Sequence, residues 1–262
     1  MWENPFGIYD GLHAGKFGTP NSQTLFHHEK FINSYSAEVK EIPSILRMIG
    51  KLDYSKADSF TRRDMIDLLR SCIGRCMHYA LYQLTTSFDS WRKGEKNEEC
   101  IKEIIAVLDR SYTILADILA SHEDYSMYDT LKEMQTKHEC NPNFEYTLKG
   151  NAENGYCRAY IHELTKSVYQ EEFRLLADIH LTALKKKDKN SFDATSEVYK
   201  KKVQKIRDKF YKTPLAKLKA DHGKASKALT GNIKEYADMW EKHISGKTDR
   251  KEVDIFLRTA GL

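Results

Sequence analysis

The sequence predicts an all-α fold, a multi-helix antiparallel bundle that follows an irregular N-terminal lead-in. Apolar residues recur at steps of three or four over several long stretches, which is the period of one helix face. We find no convincing stretch in which apolar and polar residues alternate, as they do in a half-buried strand. Long helices that are joined mostly by short connections favour antiparallel neighbours in a bundle.

Composition agrees with a packed core beneath a heavily charged surface, since 40% of the 262 residues are hydrophobic and 31% are charged. This length fits one large domain or two small ones. We divide the chain into an N-terminal lead-in with a short helix, 1–57, and a helical domain, 58–262. Within the domain, 185–230 form a lysine-rich helical segment. Pro43 opens the short helix of the lead-in.

Three helices are predicted in the first half of the helical domain. Ser59 or Thr61 can cap the first of them, and Ser121 is a plausible cap for the third. The apolar stripes of these helices are Met65, Leu69, Cys72, Cys76, Ala80, Leu84 and Phe88; then Ile101, Ile104, Ile105, Leu108, Tyr112, Leu115 and Leu119; then Met127, Leu131 and Met134.

Asn141-Pro142 breaks the helical pattern, and a loop rich in glycine and asparagine follows it, with room for a short turn of helix. Tyr156 then enters another long helix that runs to Leu184. Further helices are predicted in the lysine-rich segment and after it, ending with a short one around Phe256.

The cysteines and the first residues of the chain bear on the cellular compartment of the protein. Five cysteines are an odd, scattered set from which no disulfide framework can be read. No apolar run is long enough for a transmembrane helix, and the first residues lack the pattern of a secretory signal. Localisation stays open on these grounds: we expect a cytoplasmic protein if the chain is full length, and a secreted or lysosomal one if it is a fragment.

Motifs for catalysis or cofactor binding are not found. His162-Glu163 resembles the start of a zinc motif, but position 166 is lysine where a second histidine would stand, so we expect an ordinary surface pair. Cys72 and Cys76 lie one turn apart, and buried core thiols are favoured over a metal site. No phosphate-binding or dinucleotide-binding glycine motif occurs. We therefore assign no catalytic residue, no metal and no cofactor.

Basic charge is concentrated in residues 185–227, which hold 14 lysines and one arginine against five acids. These lysines could neutralise several phosphates of a nucleic acid. Arginine, the usual reader of bases, appears only once, and the lysines alternate with apolar residues at helical spacing. A solvated helix face is therefore favoured over a nucleic-acid site.

Five short segments, in order and at consistent spacing, resemble a known family over residues 58–184. They are FTRRDM at 60–65, LASHEDY at 119–125, NPNFEYTLKG at 141–150, Tyr156, and YQEEFRLL at 169–176. They are similar, in turn, to the "DLTRQ" helix, the "LASD…F" junction, the "NxRYQLTLWG" turn, the "DYA" tyrosine and the "YYxxRWxxF" helix end. These patterns belong to the C-terminal all-helical region of the α-N-acetylglucosaminidases, glycoside hydrolase family 89.

This resemblance implies an accessory role. In the family, a (β/α) barrel carries the two catalytic glutamates, and the helical domain leans on it and lines part of the pocket for terminal N-acetylglucosamine. The implied partners are therefore a catalytic barrel domain or chain and a glycan that contains N-acetylglucosamine, with no membrane. The catalytic glutamates cannot be assigned to this chain.

The implied substrate-binding residues are Tyr156, Lys149, Asn143 and Glu153. Tyr156 matches a pocket tyrosine, although a helix-start aromatic that packs on a neighbour is an equal alternative. Lys149 stands where the family usually has tryptophan, and an ammonium cannot stack on a sugar ring as an indole does. That departure and the free cysteines favour the alternative of a non-catalytic helical scaffold or protein-interaction module. A nucleic-acid binder acting through the lysine-rich segment is the least favoured alternative.

Overall fold

The computed structural model describes residues 38–54, 56–137, 143–154, 161–189 and 197–262. These ranges contain nine α-helices and no β-strand, which confirms the predicted all-α fold. The helices are α1 (Glu38–Ile49), α2 (Ser59–Arg92), α3 (Glu98–Leu119), α4 (Met127–Lys137), α5 (Phe144–Asn154), α6 (His162–Leu164, continued by a π-helical turn at Thr165–Tyr169 and by Gln170–Lys186), α7 (Glu197–Lys212), α8 (His222–Ile244) and α9 (Arg250–Ala260).

Helix α3 is the central element of the bundle, and it packs against α2, α6, α8 and α9. Its apolar residues surround the helix instead of forming a single stripe, as expected for a helix with neighbours on every side. Asp109 is also buried in α3, and its carboxylate accepts a hydrogen bond from Arg174 Nε in α6 at 2.7 Å. This ion pair fixes α6 against the central helix.

The N-terminal caps differ from those that the sequence predicts. The carboxylate of Asp58, not a hydroxyl of Ser59 or Thr61, caps α2 by accepting from Thr61 N at 2.7 Å. The hydroxyl of Ser121 donates to Ile118 O at the C-terminal end of α3, so it does not cap the next helix. Both predicted caps are therefore wrong, because several polar residues near each terminus could serve and the local backbone decides among them.

Ser126 caps α4 locally by accepting from Asp129 N at 3.2 Å, and Glu163 adds a second cap from a distant part of the chain. Its carboxylate accepts hydrogen bonds from Ser126 Oγ, Met127 N and Tyr128 N, each at 3.0 Å. Glu163 is 1% exposed and His162 is 6% exposed. The prediction of an ordinary surface pair is wrong, since the carboxylate is buried where it satisfies the first amides of another helix.

Helix α1 belongs to the same core as the rest of the bundle. It packs against α8 and α2, and Val39 lies in one continuous buried cluster with residues of α2, α3 and α8. The indole Nε1 of Trp240 in α8 donates to Val39 O at 2.8 Å. Arg47 pairs with Asp238 and Glu241 on the surface of α8. Helix α1 and the helices that follow position 57 therefore share one hydrophobic core.

Helix α7 carries the centre of the lysine-rich segment and packs against α6. Tyr199 and Phe210 are buried on its inner face. Arg207, the arginine of this segment, donates from Nε to the buried carboxylate of Glu172 in α6 at 2.8 Å. That arginine is therefore committed to helix packing. The outward lysines of α7 are all exposed: Lys200, Lys201, Lys202, Lys205, Lys209 and Lys212.

Cys72 and Cys76 are free and buried in the core, as predicted from the stripe of α2. Burial raises the pKa of the Cys72 thiol to about 11, so this thiol is protonated at neutral pH. Of the helices described, none is long and apolar enough to cross a membrane.

His180, buried in α6, should make stability depend on pH. Burial lowers its pKa from 6.5 to about 4, because the charged imidazolium loses its hydration. Between these two values the unfolded chain binds a proton that the folded chain does not, so stability falls as the pH drops through this range. We expect a loss of at most about 3 kcal/mol, measured by urea unfolding from pH 7.5 to pH 4. In His180→Leu the slope should be shallower, and parallel curves for the two proteins would contradict this assignment.

Candidate functional site

The predicted loop is wrong, since Phe144–Asn154 form the helix α5, in which Phe144 and Leu148 pack against the core at helical spacing. This helix and its flanks carry the four residues that the sequence predicts to bind sugar. Asn143 lies exposed in the turn before the helix, and its carbonyl accepts from Tyr146 N at 3.1 Å. Lys149 lies in the middle of α5 and is 1% exposed. Glu153 lies in the last turn of the same helix. Tyr156 lies outside the described residues.

Lys149 makes a buried three-way contact at the end of α7. Its Nζ donates to Thr213 O at 2.7 Å and to Tyr211 O at 3.3 Å, and it pairs with Glu145 Oε1 at 2.7 Å. The same Glu145 oxygen accepts from Leu215 N at 2.8 Å. Since an ammonium has three protons, this set of acceptors occupies it fully, and Lys149 has a positioning role in this arrangement.

This contact arises because the C-terminal end of α7 leaves carbonyl oxygens without amide donors. The last carbonyls of α7, such as Tyr211 O, have no amide donor within the helix. Lys149 supplies the donor from a neighbouring helix, and a cation is favourable there because the carbonyl end of a helix is negative. Glu145 stands one turn before Lys149, on the same face of α5. The pair therefore anchors α5 to the connection between α7 and α8.

Tyr146 is the residue at this site that sequence reasoning missed. Its side chain is 68% exposed, and its ring centroid lies 5.3 Å from that of Tyr211. Phe144 and Leu148, four residues apart, turn the apolar side of α5 to the core. Tyr146 lies midway between them in sequence and so points away from that side. This spacing could have identified an exposed aromatic ring next to Asn143.

Three acidic side chains are buried in the described ranges, and each has a structural role. Asp109 pairs with Arg174, Glu163 caps α4, and Glu172 pairs with Arg207. The described residues also contain no group of three side chains that could hold a metal ion. One cavity, of about 740 Å³, lies between the first turn of α3, the end of α6 and α9, away from the four predicted sugar-binding positions.

Comparison with known proteins adds no relative: no family model, no curated protein and no solved structure matches this chain.

Proposed function

We propose that this chain is the helical accessory domain of a glycoside hydrolase that acts on terminal α-linked N-acetylglucosamine. It would line part of the sugar pocket, while the catalytic glutamates belong to a barrel domain or chain. The observation that carries the proposal is the anchoring of α5 by Lys149, in the segment that resembles the family's pocket turn. Anchoring of this kind keeps the surface residues of α5 in a defined position, which a pocket wall requires.

Tyr146 supports this role by offering a flat ring at the surface. The family usually has tryptophan at the position of Lys149, which here is buried. Tyr146, one helical turn earlier, exposes an aromatic face with Tyr211 beside it. An aromatic ring gives a sugar a large contact surface, and the exposed amide of Asn143 can exchange hydrogen bonds with sugar hydroxyls. Glu153 and Tyr156, the other two residues that the resemblance implies, follow in the sequence.

We predict weak, saturable binding of N-acetylglucosamine to the isolated chain, detected by saturation-transfer NMR. Tyr146→Ala should weaken this binding by roughly tenfold, because it removes the stacking surface. Phe60→Ala is the matched control, since Phe60 is also an exposed aromatic residue, at 73%. The control should bind like the unaltered chain.

The isolated chain should not hydrolyse an aryl α-N-acetylglucosaminide, since this chemistry needs a pair of carboxylates across the scissile bond. Turnover by the chain alone would refute the accessory role. A complete lack of saturation transfer from the sugar would refute its place in the pocket wall.

A helical scaffold or interaction module is the second candidate. Four large apolar side chains near the end of α1 and the start of α2 are exposed, namely Met48, Leu52, Phe60 and Leu68. Large apolar side chains left exposed on two neighbouring helices favour a protein-binding surface. This module would not respond to N-acetylglucosamine, so the same titration separates the two candidates.

A further inference from the structure

A second cavity, of about 290 Å³, lies where three helices meet. It is bounded by the end of α3, the start of α6 and the start of α8 with the residues just before it. Its polar lining is Asp117, His162, Lys166, Lys219, Asp221 and Lys224, and the rest of the lining is alanine. The alanine methyl groups leave room between the charged side chains. The volume lies just below the usual range for ligand pockets, which begins at about 300 Å³, so it fits only a small ligand.

Three lysines from three different elements line this cavity. Lys166 comes from α6, Lys219 from the connection before α8, and Lys224 from the first turn of α8. Two carboxylates accompany them, and that of Asp221 already accepts from Lys224 N at 3.0 Å as the cap of α8. The amino-terminal end of α8, a helix of 23 residues, adds a partial positive charge at the same place. Positive charge therefore predominates.

The negative end of α3 is covered by histidine donors. His162 Nδ1 lies 2.9 Å from Ala116 O, and His222 Nδ1 lies 2.7 Å from Ala120 O. A ring nitrogen next to a carbonyl oxygen must carry the proton. His222 thereby supplies a donor to Ala120 O at the end of α3, and His162 adds a second donor to Ala116 O, which also accepts from Ala120 N at 2.9 Å.

His162 also provides an acceptor at the cavity wall. The side chain is 6% exposed, and its Nδ1 proton is used by Ala116 O. In the neutral ring Nε2 is then a hydrogen-bond acceptor, and among the described residues it has no partner. Nε2 and the carboxylate of Asp117 are therefore suited to receive hydroxyl groups, while the lysines are suited to an anion.

We propose that this cavity binds a small hydroxylated phosphate monoester. The phosphate oxygens accept hydrogen bonds from Lys166, Lys219 and Lys224, and the hydroxyl groups donate to His162 Nε2 and Asp117. Asp117 disfavours a second anionic group on the ligand, since two negative charges within one small cavity repel each other. The site uses none of the residues assigned to the sugar wall, so it does not depend on the proposed function.

Isothermal titration of the full chain with glycerol 3-phosphate, at constant ionic strength, tests the proposal. We expect saturable binding with glycerol 3-phosphate, weaker binding with inorganic phosphate and none with glycerol. Lys166→Gln and Lys219→Gln should each weaken binding by roughly tenfold, because each removes a charge-assisted hydrogen bond. Lys186→Gln is the matched control, since Lys186 is an exposed lysine of α6 outside the cavity.

The lysine variants alter exposed side chains and should keep the fold, which circular dichroism verifies. Equal affinities of Lys166→Gln and Lys186→Gln for glycerol 3-phosphate would overturn the proposed site. Absence of saturation up to about 50 mM glycerol 3-phosphate would overturn it as well. Equal binding of glycerol would show that the cavity does not recognise phosphate.

Discussion

Replacing Lys149 with methionine is expected to lower the free energy of unfolding by about 3 kcal/mol. The substitution keeps the aliphatic volume and removes the ammonium, so the carbonyls of Tyr211 and Thr213 lose a buried donor. It also leaves the carboxylate of Glu145, which is 29% exposed, without its cationic partner. Urea unfolding monitored by circular dichroism at neutral pH measures the change.

Lys137→Met is the matched control for this experiment. Lys137 pairs with Glu133 at the same spacing of four residues, but both side chains of that pair are more than half exposed. Its loss should change stability by about 0.5 kcal/mol or less, because solvent screens exposed pairs. Equal effects of the two substitutions would contradict the anchoring role of Lys149. A Lys149→Met protein of unchanged stability that has lost N-acetylglucosamine binding would place Lys149 in the sugar site instead.

Replacing Trp240 with alanine should cost about 3–5 kcal/mol, the largest single effect that we expect in this chain. Trp240 is fully buried in α8 and meets Tyr79 of α2 edge to face, with ring centroids 6.3 Å apart. Its indole also donates to Val39 O in α1. The substitution therefore leaves a cavity where three helices meet and removes the hydrogen bond that holds α1.

Trp240→Phe separates the two contributions, since phenylalanine keeps much of the ring volume and lacks the indole donor. We expect it to lose about 1–3 kcal/mol, the cost of leaving Val39 O unpaired plus some lost packing. Thermal unfolding measures both variants, and proteolysis of the N-terminal segment reports whether α1 detaches. A loss below 1 kcal/mol for Trp240→Ala would show that α1 and α8 are not part of one cooperative core.

Much of the fold could be predicted from local pattern. The stripe from Leu69 to Phe88 and the apolar positions from Ile101 to Leu119 correctly located α2 and α3, because a long periodic pattern leaves no other way to bury its apolar residues. Cys72 and Cys76 were placed in the core for the same reason. The lysines of α7 were correctly expected at the surface, since they alternate with apolar residues at helical spacing.

The candidate site was less predictable. The resemblance to the sugar-pocket turn selected the segment, and the exposed Tyr146 could have been found from its position between Phe144 and Leu148. The inward direction of Lys149 could not have been predicted, because the carbonyls that it satisfies belong to Tyr211 and Thr213, more than 60 residues away. A lysine in a helix is normally solvated, and only that distant helix end makes its burial favourable.

The sequence by itself determined the helical class, the position of the long helices and the apolar stripes of α2 and α3. These follow from the spacing of apolar residues within one segment, and such spacing acts locally. Only the tertiary structure decided the partners of Lys149, Glu163 and His162, together with the cavity that gathers Lys166 and Lys219. A buried polar group needs a partner wherever the fold provides one, and the distance along the sequence does not restrict where that partner lies.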